Sequence, residues 1–279
     1  MTERNADDFS ALPTRRAVIG AMGMSIAAGF AGCIGDGRCG ELEPGADLSG
    51  CDLTDEDLAG TDLSGADLTD AIMVEMDLSG ADFSGATLDD ADLTDAILTD
   101  VNFEDASLIN TRLKDVDATG ANFASADLAE ARVEGGVFDG TNFEEADLSE
   151  VWGHEDEWTF TGLPGTRPRN YASFREANLR NVYADRARLP GADFAGADAR
   201  DAEFRHSMLF YSQWHDVDAR GAIFYRSDLR RISDDGAQWY GSDFTRGAYK
   251  AIGRCPDPSC SGIVWTEDEE EEDEADEDE

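Results

Sequence analysis

Carboxylates are the residues this chain offers most freely for chemistry. Asp47, Asp62, Asp67, Asp82 and Asp92 recur at multiples of five, a spacing that could be taken for paired acid–base carboxylates. Their repetition argues instead for solvated faces and turn hydrogen bonds. The three histidines, His154, His206 and His215, have no cysteine partner placed for nucleophilic catalysis. No Gly-x-Ser-x-Gly elbow, phosphate-cradling loop or metal-ligand spacing accompanies them. His215 lies between Trp214 and Asp216, but adjacency in sequence does not make a site. The reading is a non-enzyme without cofactor or metal. Arginine offers a second chemistry. Arg180, Arg200 and Arg220 recur at one fixed interval, and Arg186, His206, Arg226 and Arg246 recur at the same one. Guanidinium groups with interleaved aromatics, here Tyr225 and Tyr240, can hold a polyanion.

The elements that must position these residues follow from a repeat of five. From Leu48 to Leu148, every fifth residue gives 21 positions in one register, all large and apolar except Ala118 and mostly leucine or phenylalanine. The residue two places before each is usually small, as at Ala46, Cys51, Ala66, Ala71 and Ala81. Five fits neither the helical period of about 3.6 nor the strand period of 2. One large and one small apolar residue per five share an interior only if the backbone turns at every repeat, which makes a solenoid. The segments ADLSG at 46–50, ADLTD at 66–70, ADFSG at 81–85, ANFAS at 121–125 and ADLAE at 126–130 resemble the pentapeptide-repeat family. That resemblance implies an all-β, right-handed, four-sided parallel β-helix with about four repeats per turn. Positions 20 apart then stack on one face, and the arginines form two neighbouring ladders.

The register breaks after Val151. Residues 152–170 read as an inserted loop rich in glycine and proline, with Trp152, Trp158 and Phe160 as its aromatics. Exposed aromatics mark partner sites; the alternative is that they cover the seam. The register resumes at Phe174, slipped by one residue, and runs to Phe244 with a gap at Asp234. The organisation expected is a signal at 1–33, an N-terminal cap at 34–45, coil at 46–151, the loop at 152–170, coil at 171–247, a C-terminal cap at 248–266 and an acidic tail at 267–279. One coil with an excursion is favoured over two domains, because each half offers an open end that the other covers.

Charge divides the halves. Glu41 to Val151 holds 30 acidic and 3 basic residues, whereas Tyr171 to Lys250 holds 12 of each. The chain as a whole carries a formal charge of −40. Such a surface disfavours nucleic acid and anionic lipid at low salt. It is similar to proteins of salt-in halophiles, and the expected source is haloarchaeal. In the second half the arginines can pair with Asp185, Asp201, Asp218 and Asp228 or present a recognition face; both readings stand. From Glu267 to Glu279 every position but Ala275 is acidic, a solvating or interaction tail.

The segment from Met1 to Cys33 reads as an export signal. Arg15 and Arg16 resemble a twin-arginine motif, an uncharged stretch runs from Ala17 to Gly32, and Cys33 ends a lipobox-like segment. Cys33 is the candidate for lipidation, so the expected location is the external face of the cell membrane. One lipid chain gives only marginal anchoring, so a second modification would assist. Four cysteines remain, and an even count in an exported chain favours disulfides. The pairs expected are Cys39–Cys51 and Cys255–Cys260, one at each end of the coil. A shared zinc site is the alternative, but nine stacked turns would part the pairs by about 40 Å.

The function expected is a lipid-anchored surface scaffold or protein-interaction module, with an unknown protein partner and no nucleic acid. The resemblance adds a competitor, since some pentapeptide-repeat proteins mimic duplex DNA and inhibit topoisomerase. A third possibility is an anionic surface glycan on the arginine ladders.

Overall fold

The computed structural model describes residues 40–153 and 171–244. Each repeat uses its five positions differently. The small residue and the large central residue both point inward: Ala66 is 1% exposed and Leu68 0%. The residue between them forms a parallel bridge to the residue one turn away, as Asp47 does with Asp67 and Asp67 with Thr87. The last two residues turn a corner. The final one lies in the left-handed region, glycine at Gly65 (φ 66°) but aspartate at Asp70 (φ 58°) and arginine at Arg226 (φ 57°). Glycine, aspartate and asparagine bear that conformation at least cost, which explains their frequency at this place. The corner is closed by the next small residue, whose N–H donates to the central carbonyl, at 3.0 Å from Ala66 to Leu63.

The recurring aspartates build these corners. Asp67 Oδ1 accepts the Thr69 N–H at 3.1 Å and its hydroxyl at 2.7 Å. Asp77 and Ser79 repeat the arrangement at 3.0 and 2.6 Å. These bonds favour the ionised form, so the Ser79 hydroxyl and N–H hold the Asp77 carboxyl below its ordinary 3.8.

Four repeats complete a turn, so the bridges make four parallel ladders. The first runs from Asp47 to Asp243, the second from Asp52 to Asp228, the third from Asp77 to Ser233 and the fourth from Asp62 to Gln238. Along the fourth, amides are relayed between turns. The Asn122 amide donates to Asn102 at 3.0 Å, Asn142 to Asn122 at 2.9 Å and Asn178 to Asn142 at 2.8 Å. The Asn102 amide ends the chain on Asp82.

Inside, rings stack in columns. Phe83, Phe103, Phe123 and Phe143 lie 5.3, 4.7 and 5.1 Å apart. A second column passes through Phe138, Phe174, Phe194 and Trp214, and a third through Phe204, Phe224 and Phe244. Tilted contacts such as Phe143–Phe174 join them. Full burial of each side chain contributes roughly 1.5–3 kcal/mol. Buried hydroxyls at small positions are satisfied by carbonyls of the turn before, as Thr111 is by Leu88 at 2.7 Å.

The coil is continuous across the break. The sequence separation between bridged residues rises from 20 to 36 there, with Val137 facing Ser173 and Trp152 facing Arg188. The excess of 16 is three repeats plus one, the slip seen in the sequence. It falls entirely between Gly153 and Tyr171. Trp152, expected in the loop, instead belongs to the second ladder, bridging Arg132 on one side and Arg188 on the other. The apolar pattern hides this for a simple reason. Gly153 occupies the central position without a side chain, and Leu189 fills the space: a Cβ on Gly153 would lie 2.6 Å from Leu189 Cδ2. Asp234, the gap in the apolar register, also stays within the coil, since Ser233 and Gln238 on either side keep their bridges. Burial pushes its carboxyl above the ordinary 3.8.

Candidate functional site

The two arginine rows flank the first ladder of the second half. Arg180, Arg200 and Arg220 sit three residues before Tyr183, Glu203 and Ile223; Arg186, His206 and Arg226 sit three residues after them. Tyr240, 69% exposed, continues the first row, and Tyr183 between the rows is 52% exposed. Tyr225 packs edge-on against His206 at 5.5 Å. The stacking of positions 20 apart thus brings the described members of both rows onto one side of the coil.

Most of these cations are already engaged. Arg200 pairs with Asp198 and lies 3.7 Å from Asp218. Arg220 holds Asp218 at 2.6 Å. Arg180 reaches Glu144 at 3.7 Å and Arg186 reaches Glu150 at 3.0 Å, both across the insert. The His206 ring lies 2.8 Å from Asp185. Of the four acidic partners anticipated, Asp185, Asp218 and Asp228 form such pairs, Asp228 with Arg230; Arg200 takes Asp198 in the place expected for Asp201. The guanidinium bonds of Arg200 and Arg220 hold Asp198 and Asp218 below their ordinary 3.8. Arg226 has no carboxylate in reach and lies over the Tyr225 ring at 5.4 Å.

A third basic row was missed in the sequence. Arg112, Arg132, Trp152 and Arg188 follow one another along the second ladder. Arg112 pairs with Asp92 at 3.2 Å. Arg188 stacks on Trp152 with its guanidinium carbon 3.8 Å from the ring centre. The spacing of 112, 132 and 152 was a readable signal, but the insert moved Arg188 out of that spacing and hid the fourth member.

Among the described residues, no group of three His, Cys, Asp or Glu side chains is arranged to hold a metal ion. No helix there is long and apolar enough to cross a membrane. Cys51 is buried and disulfide-bonded. Arg15, Arg16, Cys33, Cys39, Trp158, Arg246, Cys255 and Cys260 lie outside the described residues, as do His154 and the acidic tail.

Solved structures similar to this chain include HetL, a pentapeptide repeat protein involved in heterocyst differentiation regulation from the cyanobacterium Nostoc. It is 22% identical over 71% of this chain and 86% of its own, with a TM-score of 0.36. QnrB1, a plasmid-mediated fluoroquinolone resistance protein, is 19% identical over 67% of this chain and 88% of its own, with a TM-score of 0.49. A thylakoid-lumen pentapeptide repeat protein of Arabidopsis thaliana is 27% identical over 47% of this chain and 66% of its own, with a TM-score of 0.24. Curated proteins give no match. The family model for pentapeptide repeats matches in 8 copies, over residues 46–123, 126–151 and 172–209. Those segments make up just over half of the chain, and they lie on the four-sided parallel β-helix described above: the chain belongs to the pentapeptide-repeat family.

Proposed function

We propose that the protein is a non-catalytic scaffold, exported and lipid-anchored at Cys33 on the external face of the membrane, whose coil presents an interaction surface to a protein partner. The observation that carries the scaffold reading is the uninterrupted stack of ladders and rings through the insert, which makes a stiff bar with repeating outward positions. Export rests on the paired arginines, the uncharged stretch and Cys33. The working surface is the side of the second half that bears Tyr183, Tyr225, Tyr240 and Arg226. A Cys39–Cys51 disulfide closing the start of the coil fits the same compartment, and the bonded state of Cys51 supports it.

Location is the test. The protein is produced in a halophilic host, the cells are fractionated, and the intact mass is taken beside that of a Cys33→Ser variant. A mature chain beginning at lipidated Cys33 in the membrane fraction is expected. A full-length soluble chain would overturn the reading.

DNA mimicry is the second reading, favoured by one observation, the excess of 30 acidic over 3 basic residues between Glu41 and Val151. Inhibition of gyrase supercoiling at the salt where the protein is folded is its test, and inactivity at excess protein would end it.

A further inference from the structure

Four described arginines, Arg132, Arg188, Arg226 and Arg231, have no carboxylate within 4.0 Å, whereas every other described arginine has one. The four gather on one side of the coil. Arg132 and Arg188 stand on the second ladder, Arg226 at the corner that leads into it and Arg231 at the corner that follows it. Arg188, Arg226 and Arg231 lie over the rings of Trp152, Tyr225 and Tyr211. Stacking fixes the plane of a guanidinium and leaves its N–H edge for an acceptor. Of these three, Arg231 gives one N–H to the Tyr211 hydroxyl.

The same three arginines share a strip of the second half, made of the second-ladder face and its two corners in the turns 183–191, 203–211 and 223–231. The strip carries Arg186, Arg188, Arg205, Arg226, Arg230 and Arg231 against Asp185, Glu203 and Asp228. Arg186 also draws Glu150 from the turn below, which still leaves cations in excess. Over the rest of 171–244 the balance is reversed, with 9 acidic residues to 4 basic. The strip is a cationic island in a chain of formal charge −40, and a row of carboxylates is what it lacks. The chain itself supplies one: from Glu267 to Glu279 every position but Ala275 is acidic. The way back is short. The description of the coil ends at Phe244, stacked on Phe224, directly above the repeat that carries Tyr225 and Arg226. From Phe244 down to Arg188 is three turns, about 14 Å at the spacing of neighbouring strands. The tail from Glu267 to Glu279 spans about 40 Å when extended, and 22 residues separate it from Phe244.

We infer that the acidic tail docks along this strip of its own coil, with its carboxylates on Arg188, Arg226 and Arg231. The docked tail covers Tyr225 and Arg226 and so closes that edge to a partner; this consequence rests on the working surface proposed above, whereas the docking does not. The test is a fluorescein-labelled peptide of residues 267–279, with anisotropy read against two full-length proteins at two salt concentrations. One is the wild type; the other has its tail acids replaced by Asn and Gln. The neutralised-tail chain is expected to bind the peptide, more weakly at higher salt. The wild type binds it at least about tenfold more weakly, because its tethered tail already holds the strip. In the neutralised-tail chain, Arg226→Gln weakens binding severalfold and Arg188→Gln, Arg226→Gln and Arg231→Gln together abolish it. Arg175→Gln, at the corner between the third and fourth ladders, leaves it unchanged. Thermal melts of each variant separate lost binding from lost folding. Light scattering gives one mass for both full-length proteins at all concentrations. No binding by the neutralised-tail chain, equal binding by the wild type, or binding retained in the triple variant would each overturn the assignment. So would a wild-type mass that rises with concentration, which would give the tail to a second copy.

Discussion

Between Leu48 and Leu148 the centres of the repeats are mostly leucine, with phenylalanine filling one column and Phe138 in a second, and acidic residues over the outside; between Phe174 and Phe244 aromatic rings occupy three columns and arginines balance the acids. Both halves keep the same ladders, the same corners and the same inward exposure of about zero. The difference teaches what the repeat constrains. A turn has a fixed interior volume, so a larger centre is matched by a smaller one: Phe204, Leu209 and Trp214 share a turn with Ala219, and Phe174 shares one with Gly153 and Ala184. Close packing enforces that exchange. The outward positions carry no such constraint, and charge there is free to differ.

The comparison is broken most forcefully from inside. Phe123→Ala and Phe204→Ala each remove a fully buried ring from a stacked column and should cost about 3–5 kcal/mol. Thermal melts of both variants should show one transition displaced by similar amounts. Two separate transitions would show that the halves unfold independently and that their shared ladders do not couple them.

A substitution at the junction sharpens the point. Gly153→Ala places a Cβ against Leu189 and should cost about 1–3 kcal/mol through overpacking, measured by urea unfolding. Asn142→Ala interrupts the amide relay on both sides of the insert, with a loss of about 1 kcal/mol expected in the same assay.

Acid distinguishes the halves by what holds their carboxylates. Asp52 and Asp77 are held down by hydroxyls and N–H groups of Thr54 and Ser79, Asp198 and Asp218 by arginines. In both cases the folded value lies below the ordinary 3.8, so the stabilisation is present above that pH and is lost as pH falls through the lower folded value. Melting temperature should therefore drop below about pH 4. Added salt should weaken the acid dependence of the arginine-paired group more than that of the corner-bound group.

The smallest effect belongs to the surface pairs. Arg200→Gln with Arg220→Gln should leave the melting temperature nearly unchanged, because exposed ion pairs gain little in water. A larger loss would mean that the arginine rows support the coil beyond their visible contacts.

Much of this molecule was legible in its residues. A period of five with a small residue two places before a large one leaves the backbone no way to bury both except by turning at each repeat, so a solenoid and its interior follow from Leu48 to Leu148 alone, while four repeats per turn came with the resemblance to the family. The aspartates were readable as turn-formers for the same reason. The arginine rows at 180–220 and 186–226 were visible as spacings of 20. What chain order could not give was adjacency across the insert. The shift in separation from 20 to 36 that puts Trp152 beside Arg188, Phe138 on Phe174 and Asn142 against Asn178 is set by where the excursion leaves and rejoins the stack. Nor could it tell which cations are spent. Ion pairing depends on side chains within 4.0 Å: Arg200 finds Asp198 two residues away in its own repeat and Asp218 on the next turn, whereas the stacked structure brings no carboxylate within that distance of Arg132.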